Sequence, residues 1–121
     1  MAKCVLIVDD AASIRGLVGM TLRNSGYEVV EAADGREALN RLSENRVNMV
    51  VSDLNMPNMD GIELLKAMKA SPALKFTPFV MLTTEGADEK KREGQAAGAK
   101  AWMVKPFKPD TLVKVVKKII G

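Results

Sequence analysis

The 121-residue sequence contains no histidine and a single cysteine. Without histidine, no imidazole of this chain can act as an acid, a base or a nucleophile, so any such step needs another molecule. The single cysteine, Cys4, lies in an apolar run, so no disulfide can form within the chain. Free cysteine is commonly buried, and we expect Cys4 to be a core residue.

Long hydrophobic runs and aromatic residues are also scarce. No apolar stretch approaches the ~20 residues of a membrane span, and the apolar run at residues 4–8 is too short for a signal peptide. We therefore expect a cytoplasmic protein that does not contact membranes. Aromatic residues make up 4% of the chain and do not alternate with basic ones, which disfavours nucleic-acid binding.

The net charge of +3 is unevenly distributed. Residues 1–87 hold 9 basic and 11 acidic side chains, whereas residues 88–121 hold 9 basic and 4 acidic ones. The last third of the chain is therefore positive and suited to attract an acidic partner.

Strand patterns alternate with helical patterns along the whole chain. Strands are predicted at residues 4–8, 28–32, 48–52, 79–82 and 101–104, and helices at 13–25, 35–44, 61–70, 88–97 and 109–120. Such alternation is typical of an α/β fold, a doubly wound parallel sheet with helices on both faces. We predict one domain, residues 1–121, with a five-stranded flavodoxin-like (βα)5 sheet in the strand order 2-1-3-4-5.

Two helices have clear core-facing stripes. The first places Ile14, Leu17, Val18 and Leu22 at helical spacing, and the last does so with Leu112, Val115, Val116 and Ile119. On the opposite face of the last helix lie Lys114, Lys117 and Lys118. Its β-branched residues lower its intrinsic helix propensity, so this helix must depend on packing.

Polar side chains follow four of the predicted strands. Asp9 and Asp10 follow the first, Asp53 the third, Thr83 the fourth and Lys105 the last. The carboxyl ends of parallel strands share one edge, where open α/β sheets place their chemistry. Three neighbouring carboxylates repel one another unless a cation joins them.

Mg²⁺ is the cation that fits an all-oxygen site of this kind. We expect Asp10 and Asp53 to be direct ligands, with Asp9 acting through a water molecule and Asn55 offering its backbone carbonyl. A structural alternative remains open for Asp10, because an acid at this point can also cap the helix that follows.

Asp53 is also a candidate nucleophile. A carboxylate can attack phosphorus to give an acyl phosphate, and that reaction mainly needs charge neutralisation around the phosphoryl oxygens. Lys105 would supply a positive charge and Thr83 a hydrogen bond. We predict a cis bond between Lys105 and Pro106, because it would turn Lys105 back toward the acids.

Trp102 has two possible positions. A tryptophan in a strand usually packs into or beside the core, but its alternation with Met103 and Lys105 also permits a surface-facing side chain beside the last helix.

In combination, Asp9-Asp10, the segment DLNMPNMDG at residues 53–61, Thr83 and Lys105-Pro106-Phe107 resemble the receiver domains of two-component response regulators. The resemblance covers the whole chain and is strongest to the stand-alone chemotaxis regulators of that family. It implies that Asp53 is the phosphoacceptor, that Asp9 and Asp10 bind Mg²⁺, and that Thr83 and Lys105 sense the phosphoryl group.

Three further positions gain a role from the resemblance. Trp102 stands where the family has its switch aromatic, which is usually tyrosine or phenylalanine. A larger indole is not expected to enter the inward pocket of a smaller ring. Asn55 and Glu85 stand where the family controls the water that hydrolyses the acyl phosphate.

The implied function is a phosphorylation-activated, Mg²⁺-dependent signalling switch, monomeric and without an output domain of its own. Its phosphoryl donor would be a histidine kinase and its target the flagellar motor switch protein, with a phosphatase as a further partner. It is not a conventional enzyme, although it is expected to catalyse its own aspartyl phosphorylation and dephosphorylation.

Three alternatives remain. A phosphorelay intermediate or a phosphate sink would share these residues. A small Asp-dependent phosphatase would expect a second aspartate where Asn55 stands, and a flavodoxin would expect a phosphate cradle where Asp9 and Asp10 would repel phosphate.

Overall fold

The structure is a computed structural model that describes residues 2–121. Five strands alternate with five helices in these residues: β1 Cys4–Val8, α1 Ala12–Arg23, β2 Glu28–Ala32, α2 Gly35–Glu44, β3 Met49–Ser52, α3 Gly61–Ala70, β4 Phe79–Thr83, α4 Asp88–Ala97, β5 Ala101–Val104 and α5 Pro109–Ile120. All strand pairs are parallel, and the order is β2-β1-β3-β4-β5. The predicted fold and strand order are confirmed.

The predicted boundaries agree with the structure except at a few ends. α1 stops at Arg23, two residues before the predicted end, because residues 24–26 form a turn in which Gly26 has a φ of 94°. Leu17 was expected to face the core but is 43% exposed. It lies at the margin of the stripe formed by its neighbours and borders a surface groove beside Phe107.

The core has two layers, one on each face of the sheet. Side chains alternate across a strand, so Leu6 of β1 faces α2 and α3, whereas Ile7 faces the α1 and α5 side. β1, β3 and β4 are buried along their whole length, as expected for strands covered on both faces. Each fully buried Leu, Ile or Phe side chain stabilises the fold by about 1.5–3 kcal/mol.

α5 follows its predicted pattern. Leu112 and Val116 are buried, and the lysines at positions 114, 117 and 118 are exposed. Among residues 2–121, none of the helices combines the length and the hydrophobicity that crossing a bilayer requires.

α4 contributes least to the core. Its only buried residue is Gly94, and it ends at Gly98, whose φ of 109° is the left-handed conformation that favours glycine. Few apolar side chains anchor this helix, so we expect it to move more easily than its neighbours.

Candidate functional site

The three predicted acids lie together at the carboxyl edge of the sheet. A carboxylate oxygen of Asp9, one of Asp10 and one of Asp53 all lie within 4.8 Å of one another. Asp9 is 3% exposed, Asp53 is half-buried and Asp10 is exposed. The grouping follows from strand pairing, since the backbone N–H of Asp53 donates to the carbonyl of Val8 at 2.8 Å.

Lys105 lies among these acids. Its Nζ is 2.6 Å from Oδ2 of Asp9 and 3.5 Å from Oδ2 of Asp53, and its side chain is 11% exposed. The bond between Lys105 and Pro106 is cis, as predicted. A backbone hydrogen bond of 2.8 Å from Lys105 to the carbonyl of Thr83 fixes the start of this turn. The ammonium therefore offsets part of the repulsion among the carboxylates.

The two carboxylate oxygens of Asp53 have different surroundings. Oδ1 accepts a hydrogen bond of 2.7 Å from the backbone N–H of Leu54, whereas Oδ2 faces Lys105. Behind this residue, Ser52 Oγ donates to the Asp53 carbonyl at 2.8 Å. A Cβ on Gly61, at the start of α3, would collide with that same carbonyl. Close packing of the backbone thus fixes the direction of the Asp53 side chain.

The capping alternative for Asp10 is wrong. α1 has Ala11 at its N-cap, without a side-chain hydrogen bond at that position. The acid that serves this turn is Asp9, whose Oδ1 accepts from the backbone N–H of Ala11 at 2.9 Å. The exposed carboxylate of Asp10 thus has no capping role at this helix.

The donor set of this cluster fits Mg²⁺. Mg²⁺ prefers oxygen ligands in an octahedron at 2.0–2.1 Å, so opposite ligand oxygens lie about 4 Å apart. The separation of up to 4.8 Å among the three carboxylate oxygens is close to that value. Asp10 and Asp53 would hold the ion directly and Asp9 through a water molecule. The backbone carbonyl of Asn55, an exposed residue two positions after Asp53, would add a further protein oxygen.

Thr83, the last residue of β4, is hydrogen-bonded to Glu85 in the loop that follows. Thr83 is fully buried, and its Oγ1 accepts from the backbone N–H of Glu85 at 3.2 Å. Glu85 in turn accepts from the backbone N–H of Ala87 through its own Oε1 at 2.9 Å. In this contact the Thr83 hydroxyl only accepts, so it can still donate a hydrogen bond to another group.

Trp102 is half-buried and packs against α4, not beside α5. The edge of its indole lies against Gly94, where an added Cβ would come within 2.6 Å of the ring. Its Nε1–H donates to the carbonyl of Glu85 at 2.8 Å. The indole therefore fits between β5 and α4 because α4 has a glycine at this point, and it contacts the loop that follows Thr83.

Sequence reasoning missed several residues that support the acids. Arg15 donates to the backbone carbonyl of Asp9 at 2.6 Å. Asp34, the N-cap of α2, accepts from the side chain of Asn58 at 2.8 Å and so contacts the loop after Asp53. The N-cap pattern before Gly35 was readable from the sequence, but neither of these two side-chain contacts was.

Taken together, a flavodoxin-like sheet with three acids and a lysine at its carboxyl edge defines a class of α/β proteins with an acidic pocket at that edge. Comparison with known proteins narrows this class. The sequence model of one protein family, the response regulator receiver domain, matches residues 5–117. Chemotaxis protein CheY1 of Helicobacter pylori is 36% identical over 119 residues, which cover 97% of this chain and 96% of that protein.

Two solved structures are also similar. Chemotaxis protein CheY4 of Vibrio cholerae is 50% identical, with a TM-score of 0.93 over 98% of this chain and 99% of that one. The receiver domain of sensor histidine kinase PA1611 of Pseudomonas aeruginosa is 25% identical, with a TM-score of 0.91 over 100% of this chain and 99% of that one. That structure has a magnesium ion coordinated in its active-site cleft.

The chain therefore belongs to the response regulator receiver domain family. Receiver domains of the CheY type are signalling switches, and this chain is a CheY-like member of that class.

Proposed function

We propose that this chain is a phosphorylation-activated switch that takes a phosphoryl group onto Asp53 from a histidine kinase, with Mg²⁺ bound beside it. One observation carries the proposal. The carboxylate of Asp53 has Oδ1 fixed by the N–H of Leu54, while Oδ2 faces Lys105 within the acid cluster.

The chemistry follows from this arrangement. An oxygen of Asp53 attacks phosphorus, a P–O bond forms, the P–N bond of the donor's phosphohistidine breaks, and its electron pair leaves with the imidazole nitrogen. Bound Mg²⁺ supplies positive charge to the phosphoryl oxygens. Lys105, now 2.6 Å from Asp9, supplies a second positive charge when it turns to the new phosphoryl group. The hydroxyl of Thr83 donates a hydrogen bond to that group.

The metal part of the proposal is supported by the all-oxygen donor set of the three aspartates. It is also supported by the similarity to the PA1611 receiver domain, whose structure has a magnesium ion coordinated in its active-site cleft. Asp9, Asp10, Asp53 and the carbonyl of Asn55 are the residues that would hold the ion.

Acetyl phosphate tests the proposal without a kinase. Intact-mass measurement after incubation with acetyl phosphate and Mg²⁺ should show one added phosphoryl group, and chelation of Mg²⁺ should prevent it. The Asp53→Ala variant should gain none, whereas Glu44→Gln, an exposed acid at the end of α2, should behave as the parent does. Equal phosphorylation of Asp53→Ala would contradict the assignment.

For the output, we propose binding to the flagellar motor switch protein. Two of the similar proteins are chemotaxis proteins, and α5 presents Lys114, Lys117 and Lys118 to solvent. A phosphorelay role predicts a different result, in which phosphorylated protein passes its phosphoryl group to a histidine of a second protein. A peptide from the flagellar switch that binds more tightly after phosphorylation supports the motor role.

A further inference from the structure

Arg15, in the first turns of α1, connects the acidic pocket to the edge strand of the sheet. Its Nη1 donates a hydrogen bond to the backbone carbonyl of Asp9 at 2.6 Å. Its Nε donates to Oε1 of Glu31, in β2, at 3.3 Å. The Arg15 side chain is 19% exposed. Because the guanidinium is a rigid planar fork, these two acceptors on different elements fix its orientation.

The contact with Asp9 takes the place of a missing strand partner. In a parallel ladder, the N–H and C=O of one residue point toward the same neighbouring strand. The N–H of Asp9 donates to the carbonyl of Ala32 at 3.1 Å, and Ala32 is the last residue of β2. The carbonyl of Asp9 therefore points past the end of β2. Within residues 2–121, the donor that bonds to this carbonyl is Arg15.

This carbonyl belongs to the peptide unit that joins Asp9 to Asp10. The side chain of Asp9 has its own anchors, the N–H of Ala11 and the ammonium of Lys105. Asp10 is exposed, and within residues 2–121 its carboxylate has no ion-pair partner. The direction of the Asp10 carboxylate therefore depends chiefly on the backbone that Arg15 holds.

We propose that Arg15 is a positioning residue for the metal site: by holding the carbonyl of Asp9, it directs the carboxylate of Asp10 toward Asp53 and so strengthens Mg²⁺ binding. The inference rests on the proposed function, because it requires that the acidic cluster binds Mg²⁺. Residues that orient metal ligands from behind typically change metal affinity 10- to 100-fold when they are replaced.

The sign of the effect separates positioning from simple electrostatics. A guanidinium near a cation site repels the cation, so its charge alone weakens Mg²⁺ binding. Removing Arg15 would then tighten binding if charge were its only influence. Positioning predicts the opposite result, weaker binding.

The chain offers a matched control in Arg23, which is also in α1 and also pairs with Glu31, at 3.7 Å. Arg23 is 52% exposed, and within residues 2–121 it forms an ion pair with Glu31 and does not contact the Asp9 carbonyl. Replacing either arginine by methionine removes the same charge and leaves an apolar stem.

Calorimetric titration with Mg²⁺ should give a dissociation constant about 10-fold higher for Arg15→Met than for the parent, with Arg23→Met close to the parent. All titrations are made at a temperature at which circular dichroism shows each variant to be folded. The Mg²⁺ concentration for half-maximal phosphorylation by acetyl phosphate should rise in parallel for Arg15→Met. The maximal rate at saturating Mg²⁺ should be retained, which a general loss of structure would not produce.

The inference would be overturned if Arg15→Met bound Mg²⁺ as tightly as the parent or more tightly. It would also be overturned if Arg15→Met and Arg23→Met bound Mg²⁺ equally weakly. If Arg15→Met does not fold, Arg15→Lys is compared by the same criterion, because one ammonium does not reproduce the fork that joins both acceptors. A parent protein that neither binds Mg²⁺ nor is phosphorylated would instead reject the proposed function itself.

Discussion

At the scale of single residues, Lys105 adds a positive charge to the acidic pocket and Asp10 adds a negative one. Lys105 is largely buried and pairs with Asp9 at 2.6 Å, whereas Asp10 is exposed and adds negative charge to a cluster of three carboxylates. One lysine does not neutralise three acids, so a bound divalent cation should stabilise the fold.

This balance gives a prediction for Mg²⁺ and Asp10. At a Mg²⁺ concentration 100-fold above the dissociation constant, the parent should gain ~2.7 kcal/mol in free energy of unfolding relative to EDTA. Asp10→Asn should gain much less, because it lacks one metal ligand, while its stability in EDTA should be no lower than the parent's. Urea unfolding with and without Mg²⁺ measures both. If Mg²⁺ does not change the free energy of unfolding of the parent, the result would count against the site. Glu44→Gln serves as the control for the loss of one exposed acid.

Asn55 and Glu85 should control the lifetime of the acyl phosphate on Asp53. Asn55 is exposed, and Glu85 lies in the loop that bonds to the Thr83 hydroxyl. A bulkier side chain at either place should keep water from the phosphoryl group. Decay of phosphorylated protein, followed after removal of donor, should therefore be severalfold slower in Asn55→Met and Glu85→Met than in the exposed control Asn40→Met. Identical decay in all variants would mean that both residues are merely solvated loop positions.

At the scale of elements, the N-terminus of α2 is connected to the loop after Asp53. Asp34 accepts from the backbone N–H of Glu37 at 2.9 Å and from Asn58 Nδ2 at 2.8 Å. The hydrogen bond from Glu37, and after it the one from Asn58, lowers the pKa of Asp34 below its ordinary value. Asn58 has a φ of 67°, so this contact helps hold a conformation that most residues avoid.

The lowered pKa fixes the sign of a pH dependence. A carboxyl group with a lower pKa in the folded state stabilises the fold above its unfolded pKa, and this contribution is lost as the pH falls through the folded pKa. Asp34→Ala should therefore cost about 1 kcal/mol at neutral pH. The difference from the parent should shrink as the pH falls below ~3.9, the ordinary pKa of aspartate. Asp34→Ser, which keeps a capping oxygen without the charge, should recover only the part of the loss that does not depend on pH in urea unfolding. A cost that does not change with pH would show that the carboxylate charge is not responsible.

The elements also indicate what sequence reasoning could and could not reach. The five strands and the edge that carries Asp9, Asp53 and Lys105 followed from periodicity and from the geometry of parallel sheets. The strand order did not follow in this way; it was predicted from the resemblance to flavodoxin-like folds. Leu17 was placed wrongly because spacing defines the centre of a helix stripe better than its margins. The contacts of Arg15 with Asp9 and of Trp102 with Gly94 depend on side-chain rotamers, which a single sequence does not specify.

At the scale of the whole molecule, β5, which contains Trp102, leads through Lys105 of the acidic pocket to α5. The exposed face of α5 has Lys114, Lys117 and Lys118. The indole bonds to the carbonyl of Glu85 and packs on Gly94 of α4, the helix with the weakest hold on the core. Phosphorylation that draws Thr83 toward Asp53 would disturb the same loop. The expected consequence is a shift in population of Trp102 and α4 and not a new fold.

The proposed output surface can be tested by its charge. Replacing Lys114, Lys117 and Lys118 by glutamine should slow association of an acidic peptide from the flagellar switch, most strongly at low ionic strength, with little change in dissociation rate. A charge-matched variant in which Arg36, Lys66 and Lys75 become glutamine should bind as the parent does. Equal slowing in both variants would assign the effect to net charge.

The role of Trp102 can be tested with the same peptide. If phosphorylation raises the affinity of Trp102→Ala as much as that of the parent, Trp102 is a packing residue only.

The central claim is that Asp53 carries the phosphoryl group, and chemical trapping of the acyl phosphate tests it most directly. Borohydride reduces an acyl phosphate to an alcohol, which converts a phosphorylated aspartate into homoserine. After treatment with acetyl phosphate and Mg²⁺, peptide mass spectrometry should find homoserine at position 53, and omission of either reagent should abolish it. Homoserine at Asp9 or Asp10, or none at position 53 in a protein that has gained a phosphoryl group, would contradict the account.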